Sequence, residues 1–355
     1  MPVVRTLLVS DLHLGQRPGH DVLRRPAALE RLLAALDDVD RLVLLGDVVE
    51  LALRRHRRDP LTAAAPVLRA IGDRMGSSRE IILVPGNHDW VMVRHWALER
   101  GAQLGLGDAV PCDATESLAA VTAQLGPATV RVSYPGFWVR EDVWATHGHY
   151  LDRHLIPEST FGLPRGRLAR GRAAGTASAR VIDYELPRRG RGTSSEGLFG
   201  ELLERPLAVV LEHLAELTRY GSRLLQHVNL TSVTARALDF QVRRAAVPAM
   251  VETTTRLGLD ARSVIFGHVH RLGPRDERSG ALRRADWSPV PDGPRVYNTG
   301  SWVYEPMLLD GVDPPHPYWP GGAVLVEDGA EPRALALLDD LSGDELRGSV
   351  RGERR

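Results

Sequence analysis

The sequence predicts a layered α/β fold. Two observations predict it: strand-like and helix-like apolar patterns alternate over the first hundred residues, and Gly, Asp or Asn follow the short apolar runs. Alternating strands and helices favour a sheet covered by helices. Open α/β sheets bind their ligands at the carboxyl ends of the strands. We therefore expect the polar residues that follow these strands to lie at one functional edge.

The first half of the chain provides the alternating elements. Short β-branched and apolar runs predict strands, whereas apolar residues at helical spacing predict helices. In chain order these are a strand at Val3–Ser10, a helix at Arg24–Leu36, a strand at Arg41–Leu45, a helix at Leu61–Met75, and strands at Glu80–Val84 and Phe137–Thr146.

The second half changes character. The segment Arg165–Arg191 carries many Arg residues among Gly and Ala, which is typical either of a mobile loop or of a guanidinium surface that grips phosphate groups. Leu202–Leu259 has the pattern of two or three amphipathic helices, which would form the core of a small cap or a lipid-facing surface. Strands follow at Ser263–Phe266, Arg295–Asn298 and Ala323–Glu327, and a charged tail at Ser342–Arg355 is expected to be disordered.

Composition excludes several classes of protein. The 355 residues include 45 Lys plus Arg and 45 Asp plus Glu, so net charge favours neither a nucleic acid nor a membrane partner. The single cysteine, Cys112, excludes an intramolecular disulfide and is compatible with a reducing cytosol. We find no signal-peptide pattern and no apolar run of about 18 residues, so a cytoplasmic protein without a transmembrane helix is expected.

Five short motifs carry the candidate chemistry, and each follows an apolar run that ends in a turn. They are Asp11-Leu-His13, Gly46-Asp47, Gly86-Asn87-His88-Asp89, His147-Gly-His149 and Gly267-His268-Val-His270. Oxygen and imidazole donors without cysteine suit Mn, Fe or Zn rather than Ca or a thiolate site. In an extended Asp-x-His or His-x-His segment, alternate residues point the same way, so both would reach one metal.

These donors are sufficient for a site with two metals. A lone Asp between two ions can bridge them through its two oxygens. Two ions held roughly 3.5–4 Å apart bind the attacking and leaving oxygens of a phosphate group. They also lower the pKa of a bridging water towards neutrality.

The ordered set of motifs resembles the calcineurin-like metallophosphoesterase superfamily, whose pattern is D-x-H, G-D, G-N-H-D/E, a later His-bearing turn and G-H-x-H. All five blocks occur here in order, and Asn298-Thr-Gly-Ser301 resembles the N-x-G-S segment that often follows. The resemblance implies a four-layer α/β/β/α sandwich. The core would comprise residues 1–150 and 261–341, with a helical cap inserted at 151–260 and a tail at 342–355.

The resemblance also implies a role for each motif residue and two divalent ions, with Mn as the first expectation and Fe or Zn as alternatives. Ligands of the first metal would be Asp11, His13 and His270. Ligands of the second would be Asn87, His147 and His268. Asp47 would bridge the ions, His88 would contact the phosphate and protonate the leaving oxygen, and Asp89 would orient His88. His149 is expected to be a substrate contact, an outer group or a surface histidine rather than a ligand.

The expected reaction is hydrolysis of a phosphomonoester, phosphodiester or pyrophosphate by a hydroxide that bridges the metals, on a small-molecule or lipid-linked substrate. The UDP-2,3-diacylglucosamine pyrophosphatase-like group is similar in having a helical insertion after a His-Gly-Asp turn, although it typically has Arg at position 88 and Asp at position 149. Two alternatives remain open. A nuclease on the same core would need a basic groove, and a catalytically inactive interaction module would be expected to lose ligands.

Overall fold

The computed structural model describes residues 4–16, 20–52, 59–151, 246–275, 287–288 and 293–347. The strands are β1 (Arg5–Val9), β2 (Arg41–Leu45), β3 (Glu80–Val84), β4 (Asp108–Val110), β5 (Thr129–Tyr134), β6 (Gly136–Arg140), β7 (Val143–Thr146), β8 (Ser263–Phe266), β9 (Arg295–Asn298), β10 (Gly322–Glu327) and β11 (Arg333–Ala336). The helices are α1 (Pro26–Ala35), α2 (Pro60–Met75), α3 (Arg94–Arg100), α4 (Glu116–Gln124), α5 (Val247–Leu257), α6 (Pro306–Leu309) and α7 (Gly343–Arg347).

The larger sheet has seven strands in the order β11-β10-β1-β2-β3-β5-β4. Its centre, β1, β2, β3 and β5, is parallel, and the flanking strands are antiparallel to their neighbours. Helices α1 and α2 lie in the connections from β1 to β2 and from β2 to β3, as parallel strands require. The alternating elements predicted for the first hundred residues are confirmed.

The smaller sheet has four strands in the order β6-β7-β8-β9, with β6 antiparallel to β7 and the other pairs parallel. The prediction of one strand over Phe137–Thr146 is wrong. The chain reverses at residues 141–142, where Arg140 Nε donates to Asp142 Oδ1 over 2.6 Å. Because both halves of the segment are apolar, it pairs with itself as a hairpin instead of continuing.

The two sheets pack face to face and are covered by helices. Period-two alternation divides each strand between two cores: Leu7 packs under the outer helices, and Leu8 packs between the sheets. Val43 and Ile82 join Leu8 there and meet Ile265 from the smaller sheet. Leu32, Leu68 and Leu118 from α1, α2 and α4 cover the larger sheet, and Val247, Met250 and Val251 from α5 cover the smaller one. The predicted α/β/β/α order is therefore confirmed.

The predicted cap and tail are only partly described. Residues 152–245, which include the Arg-rich segment, lie outside the described part of the chain. Helix α5, which falls within the predicted cap, packs on Trp144 and Phe266 of the smaller sheet. The prediction of disorder from Ser342 is wrong for α7, because Leu346 is buried there and Arg347 stacks over the Tyr304 ring. Within the described residues, no helix has both the length and the apolarity that crossing a bilayer requires.

Candidate metal centre

The carboxyl ends of parallel strands from both sheets converge on one cluster of polar side chains. Asp11, Asp47 and Asn87 follow β1, β2 and β3, while His147 and His268 follow β7 and β8. Among the described residues, this convergence forms three groups of side chains, and within each group the donor atoms lie within 4.8 Å of one another. They are Asp11, His13 and His270; His13, Asp47 and His88; and Asp47, His147 and His268.

The loops that carry these side chains have an unusual backbone. Asp11, His13, Asp47, His268 and His270 have positive φ values between 43° and 66°. Asp and His are enriched in this left-handed region, which still costs of order 1 kcal/mol or more for each residue. The Asp-x-His and His-x-His segments are therefore not extended. Asp11 and His13 nevertheless share one donor group, as expected, whereas His268 and His270 face different groups.

Backbone hydrogen bonds hold the first two loops in this conformation. Asp11 N donates to Gly46 O over 3.0 Å, and His13 N donates to Asp47 O over 2.8 Å. Gly46 itself has a φ of 84°, and a side chain there would overlap the ring of His147. The glycine thus permits the close approach of two loops that carry donor atoms.

The first donor group comprises Asp11, His13 and His270. Asp11 Oδ1 lies 3.1 Å from His270 Nε2 and 3.9 Å from His13 Nε2. Among the described residues, Asp11 Oδ1 and His13 Nε2 are buried polar atoms without a hydrogen-bond partner. Buried polar atoms are almost always satisfied, so a carboxylate oxygen and an imidazole nitrogen left in this state fit a bound cation.

The third of these groups, Asp47, His147 and His268, is joined by Asn87, and we call these four residues the second donor group. Asp47 Oδ2 lies 3.3 Å from His147 Nε2, and Asn87 Oδ1 lies 3.1 Å from the same nitrogen. His147 Nδ1 donates to Leu45 O over 3.0 Å. Because a carbonyl only accepts, Nδ1 keeps its proton and Nε2 is the atom that faces the donor group.

Asp47 lies between the two groups and presents one oxygen to both. Its Oδ2 is 3.7 Å from His13 Nε2 and 3.3 Å from His147 Nε2. Its Oδ1 accepts the backbone N–H of His88 over 2.8 Å. The structure therefore brings one oxygen, Oδ2, close to the imidazoles of both groups, while Oδ1 is also engaged by the loop that carries His88.

Opposite charges are concentrated in this cluster. Burial by itself raises the pKa of Asp47, but the imidazoles of His147 and His88 outweigh it and hold that pKa well below its usual range. Burial likewise opposes ionisation of Asp11, yet His270 and His147 lower its pKa to about 2. Burial lowers the pKa of His147, but Asp47 and Asp11 raise it to about 10. The metal-free cluster therefore holds carboxylates and a protonated His147 at neutral pH.

Sequence reasoning missed Glu50, a fully buried carboxylate beneath two of the predicted histidines. It contacts His13 Nδ1 at 3.1 Å and His88 Nδ1 at 2.7 Å. Although burial opposes it, hydrogen bonds from these imidazoles lower the pKa of Glu50 to about 2. An ionised carboxylate only accepts, so both Nδ1 atoms carry protons and both Nε2 atoms face the cluster. The sequence feature that could have identified Glu50 is a single acidic residue within the apolar run that follows Gly46-Asp47.

His88 lies at the rim of the cluster, with its side chain 22% exposed, and its Nε2 is 4.0 Å from Asp47 Oδ2. Burial lowers the pKa of His88, but the charges of Asp47 and Glu50 raise it to about 9. In the metal-free protein His88 is therefore protonated at neutral pH. A protonated, partly exposed imidazole at this position can donate a proton to a bound group.

The expectation that Asp89 orients His88 is wrong. The carboxylate of Asp89 accepts the backbone N–H groups of Val48 and Gly86, over 2.8 and 2.5 Å. It therefore fastens the loop after β2 to the loop after β3. Glu50, rather than Asp89, holds the His88 ring. Burial and the nearby charge of Asp47 raise the pKa of Asp89 to about 6.

His149 lies beside the second donor group but belongs to none of the three groups. Its ring centroid is 5.6 Å from that of His147 and 6.5 Å from that of His268. Asp11, His13, Asp47 and His147 form a buried floor, whereas Asn87, His88, His268 and His270 are partly exposed. The cluster is thus open on the side of these four residues.

Comparison with known proteins agrees with this geometry. A family model described as calcineurin-like phosphoesterase matches residues 4–272, well over half of the chain. The matched range includes every residue of the cluster. No curated protein matches the chain significantly.

Proposed function

The chain belongs to the calcineurin-like phosphoesterase family, and from this premise we propose that it is a dinuclear, metal-dependent hydrolase. It would cleave a phosphomonoester, phosphodiester or pyrophosphate bond. The family match names no subgroup. The proposal therefore specifies only that the substrate carries a phosphate ester or pyrophosphate group.

The observation that carries the proposal is the position of Asp47 Oδ2 between two sets of donors. Asp11, His13 and His270 would hold one ion. Asn87, His147 and His268 would hold the other, and Asp47 would contact both. The donors are carboxylate, amide and imidazole atoms, which suit Mn, Fe or Zn.

Two bound divalent ions would supply positive charge for the phosphate oxygens and would lower the pKa of a bound water towards neutrality. The residues of the chain would hold the metal ligands in place and admit the substrate. The buried floor keeps the ligands fixed, since Glu50 and Leu45 O set the ring orientations of His13 and His147. The open side, lined by His88 and His268, would admit the phosphate group.

His88 would act on the leaving oxygen. Its Nδ1–H is held by Glu50, so Nε2 points towards Asp47 and the open side. A proton on Nε2 would pass to the oxygen of the departing alcohol or phosphate as the P–O bond breaks. The presence of every predicted donor argues against a catalytically inactive interaction module.

A direct test combines metal analysis with a substrate panel. Chelator-treated protein would be reloaded with Mn, Fe or Zn and assayed on an aryl phosphate, an aryl phosphodiester, and nucleotide and lipid pyrophosphates. We expect two ions per chain and turnover that depends on them. Hydrolysis at an equal rate in the chelated protein, or binding of a single ion at saturation with full activity, would contradict the dinuclear proposal.

A further inference from the structure

The turn at residues 298–302, which we call the Asn298 turn, lies after all the predicted ligands and contacts two of the ligand loops. Asn298 Nδ2 donates to Gly267 O over 2.6 Å, and Trp302 N donates to Asp11 O over 3.0 Å. Asn298 Oδ1 accepts the N–H of Gly300 over 2.9 Å, which closes the turn on itself. The turn thus joins the loop that carries Asp11 to the loop that carries His268 and His270.

A chain of hydroxyl groups runs from this turn to Asp11. Thr299 Oγ1 lies 2.6 Å from Ser10 Oγ, and Ser10 Oγ donates to Asp11 Oδ2. Because Ser10 has one hydroxyl proton and gives it to a carboxylate, the Thr299 hydroxyl must be the donor in the first contact. Its other acceptor, Phe266 O, is more distant at 3.4 Å. Hydrogen bonds arranged in such a series polarise and strengthen one another.

This series of hydroxyl groups determines which oxygen of Asp11 is available to a metal ion. Oδ2 accepts the Ser10 hydroxyl and the backbone N–H of His268, the latter over 2.9 Å. Oδ1 has no hydrogen-bond partner among the described residues and lies near His13 Nε2 and His270 Nε2. All three side chains of the relay, Ser10, Asp11 and Thr299, are fully buried, so solvent does not compete for these bonds.

We propose that Ser10 and Thr299 are positioning residues of the metal centre: Thr299 orients the Ser10 hydroxyl, and Ser10 together with the His268 N–H occupies Asp11 Oδ2, so that Oδ1 is presented to the first ion. This inference rests on the proposed function, because it assigns Asp11 to that ion. Outer partners that orient a metal ligand are worth about 10–100-fold in metal affinity or activity. Loss of the Ser10 hydroxyl removes one of the two hydrogen bonds that Oδ2 accepts, and loss of the Thr299 hydroxyl removes the group that orients Ser10. Either loss should loosen the carboxylate and weaken one ion selectively.

The test is manganese binding to the full-length protein, with dissociation constants and stoichiometry measured by calorimetry and the free ion measured by electron paramagnetic resonance. In Thr299→Val and Ser10→Ala we expect one of the two ions to bind about 10–100-fold more weakly and the other to bind normally. Thr299→Ser keeps the hydroxyl and should restore the wild-type affinity. The matched control is Thr254→Val, since the buried Thr254 hydroxyl bonds Val251 O within α5 over 2.7 Å, away from the ligand loops.

Each outcome is decisive. Two ions bound at wild-type affinity in Thr299→Val and Ser10→Ala would overturn the inference, as would an equal loss of affinity in Thr299→Ser or Thr254→Val. If Thr299→Val does not fold, the manganese affinity of the second hydroxyl variant, Ser10→Ala, tests the inference. A wild-type protein that binds fewer than two manganese ions would refute the proposed dinuclear function instead, so the two failures are distinguishable.

Discussion

The buried carboxylate of Glu50 and the partly exposed imidazole of His88 form an ion pair in which Oε2 lies 2.7 Å from Nδ1. The pair fixes the tautomer of His88 and directs Nε2 towards Asp47 Oδ2. A side chain that no motif identified therefore controls the group that we propose as the proton donor.

Glu50→Gln should reduce activity by about 10–100-fold, because the amide cannot stabilise the protonated His88 ring as the carboxylate does. Glu50 raises the pKa of His88, so the alkaline limit of the pH–rate profile should move to lower pH in this variant. Steady-state kinetics between pH 6 and 10 measure both effects. Glu80→Gln is a suitable control, since Glu80 pairs with Arg41 and Arg131 outside the cluster. An unchanged profile in Glu50→Gln would show that His88 does not depend on Glu50.

His88→Ala should lower the rate by roughly 10²–10⁴-fold while most of the metal is retained. The loss should be greater for an alkyl alcohol than for nitrophenol, because the poorer leaving group depends more on a proton donor. Rates on the two esters, together with metal content, provide the measurement. Equal losses on both esters would mean that His88 positions the phosphate and does not protonate the leaving group.

Asp47→Asn should remove at least one ion and nearly all turnover. The substitution takes one negative charge from the point where Oδ2 faces both donor groups. Elemental analysis and turnover of the purified variant test this expectation. Asp340→Asn is the matched control, since the Asp340 carboxylate forms an exposed pair with Arg31. Two ions per chain with wild-type activity in Asp47→Asn would refute the bridging role.

Metal binding should release protons near neutral pH. Asp47 and Asp11 outweigh burial and raise the pKa of His147 to about 10 in the metal-free protein, so its Nε2 is protonated at pH 7. An ion must displace that proton, and its apparent affinity should rise about tenfold per pH unit for each proton released, up to about pH 10. Calorimetry between pH 6 and 8.5 in buffers of different ionisation enthalpy measures both quantities. Affinity that stays constant over this range would contradict a protonated His147.

Asp89→Ala should destabilise the metal-free protein. It leaves the buried N–H groups of Val48 and Gly86 without their acceptor, at a cost of about 1–3 kcal/mol for each group. Asp89→Asn keeps one acceptor oxygen, so its free energy of unfolding should lie between those of the alanine variant and the wild type. Urea unfolding of the chelated proteins gives the comparison. Equal stability of the alanine variant and wild type would mean that the two loops do not depend on this carboxylate.

The features that the sequence determined are local ones. Asp11, Asp47 and Asn87 each come within three residues of the end of an apolar run, so the sequence indicates both the end of each strand and the polar residue that follows it. The resemblance of the ordered motifs to a known family then implied how the candidate ligands are paired, including the separation of His268 from His270. The layered fold followed from the alternation of strand and helix patterns before any contact was known.

Only the tertiary structure decided which groups hold these residues in place. Glu50 reaches both His13 and His88 because β1, β2 and β3 are neighbours in the sheet, and Thr299 reaches Ser10 across 289 residues of sequence. The same holds for Asp89, which bonds the adjacent loop rather than its neighbour His88. A motif specifies residue types at short spacing, whereas these contacts depend on strand order and on left-handed backbone at particular residues. Both are settled only when distant segments pack together and exclude water from the polar atoms between them.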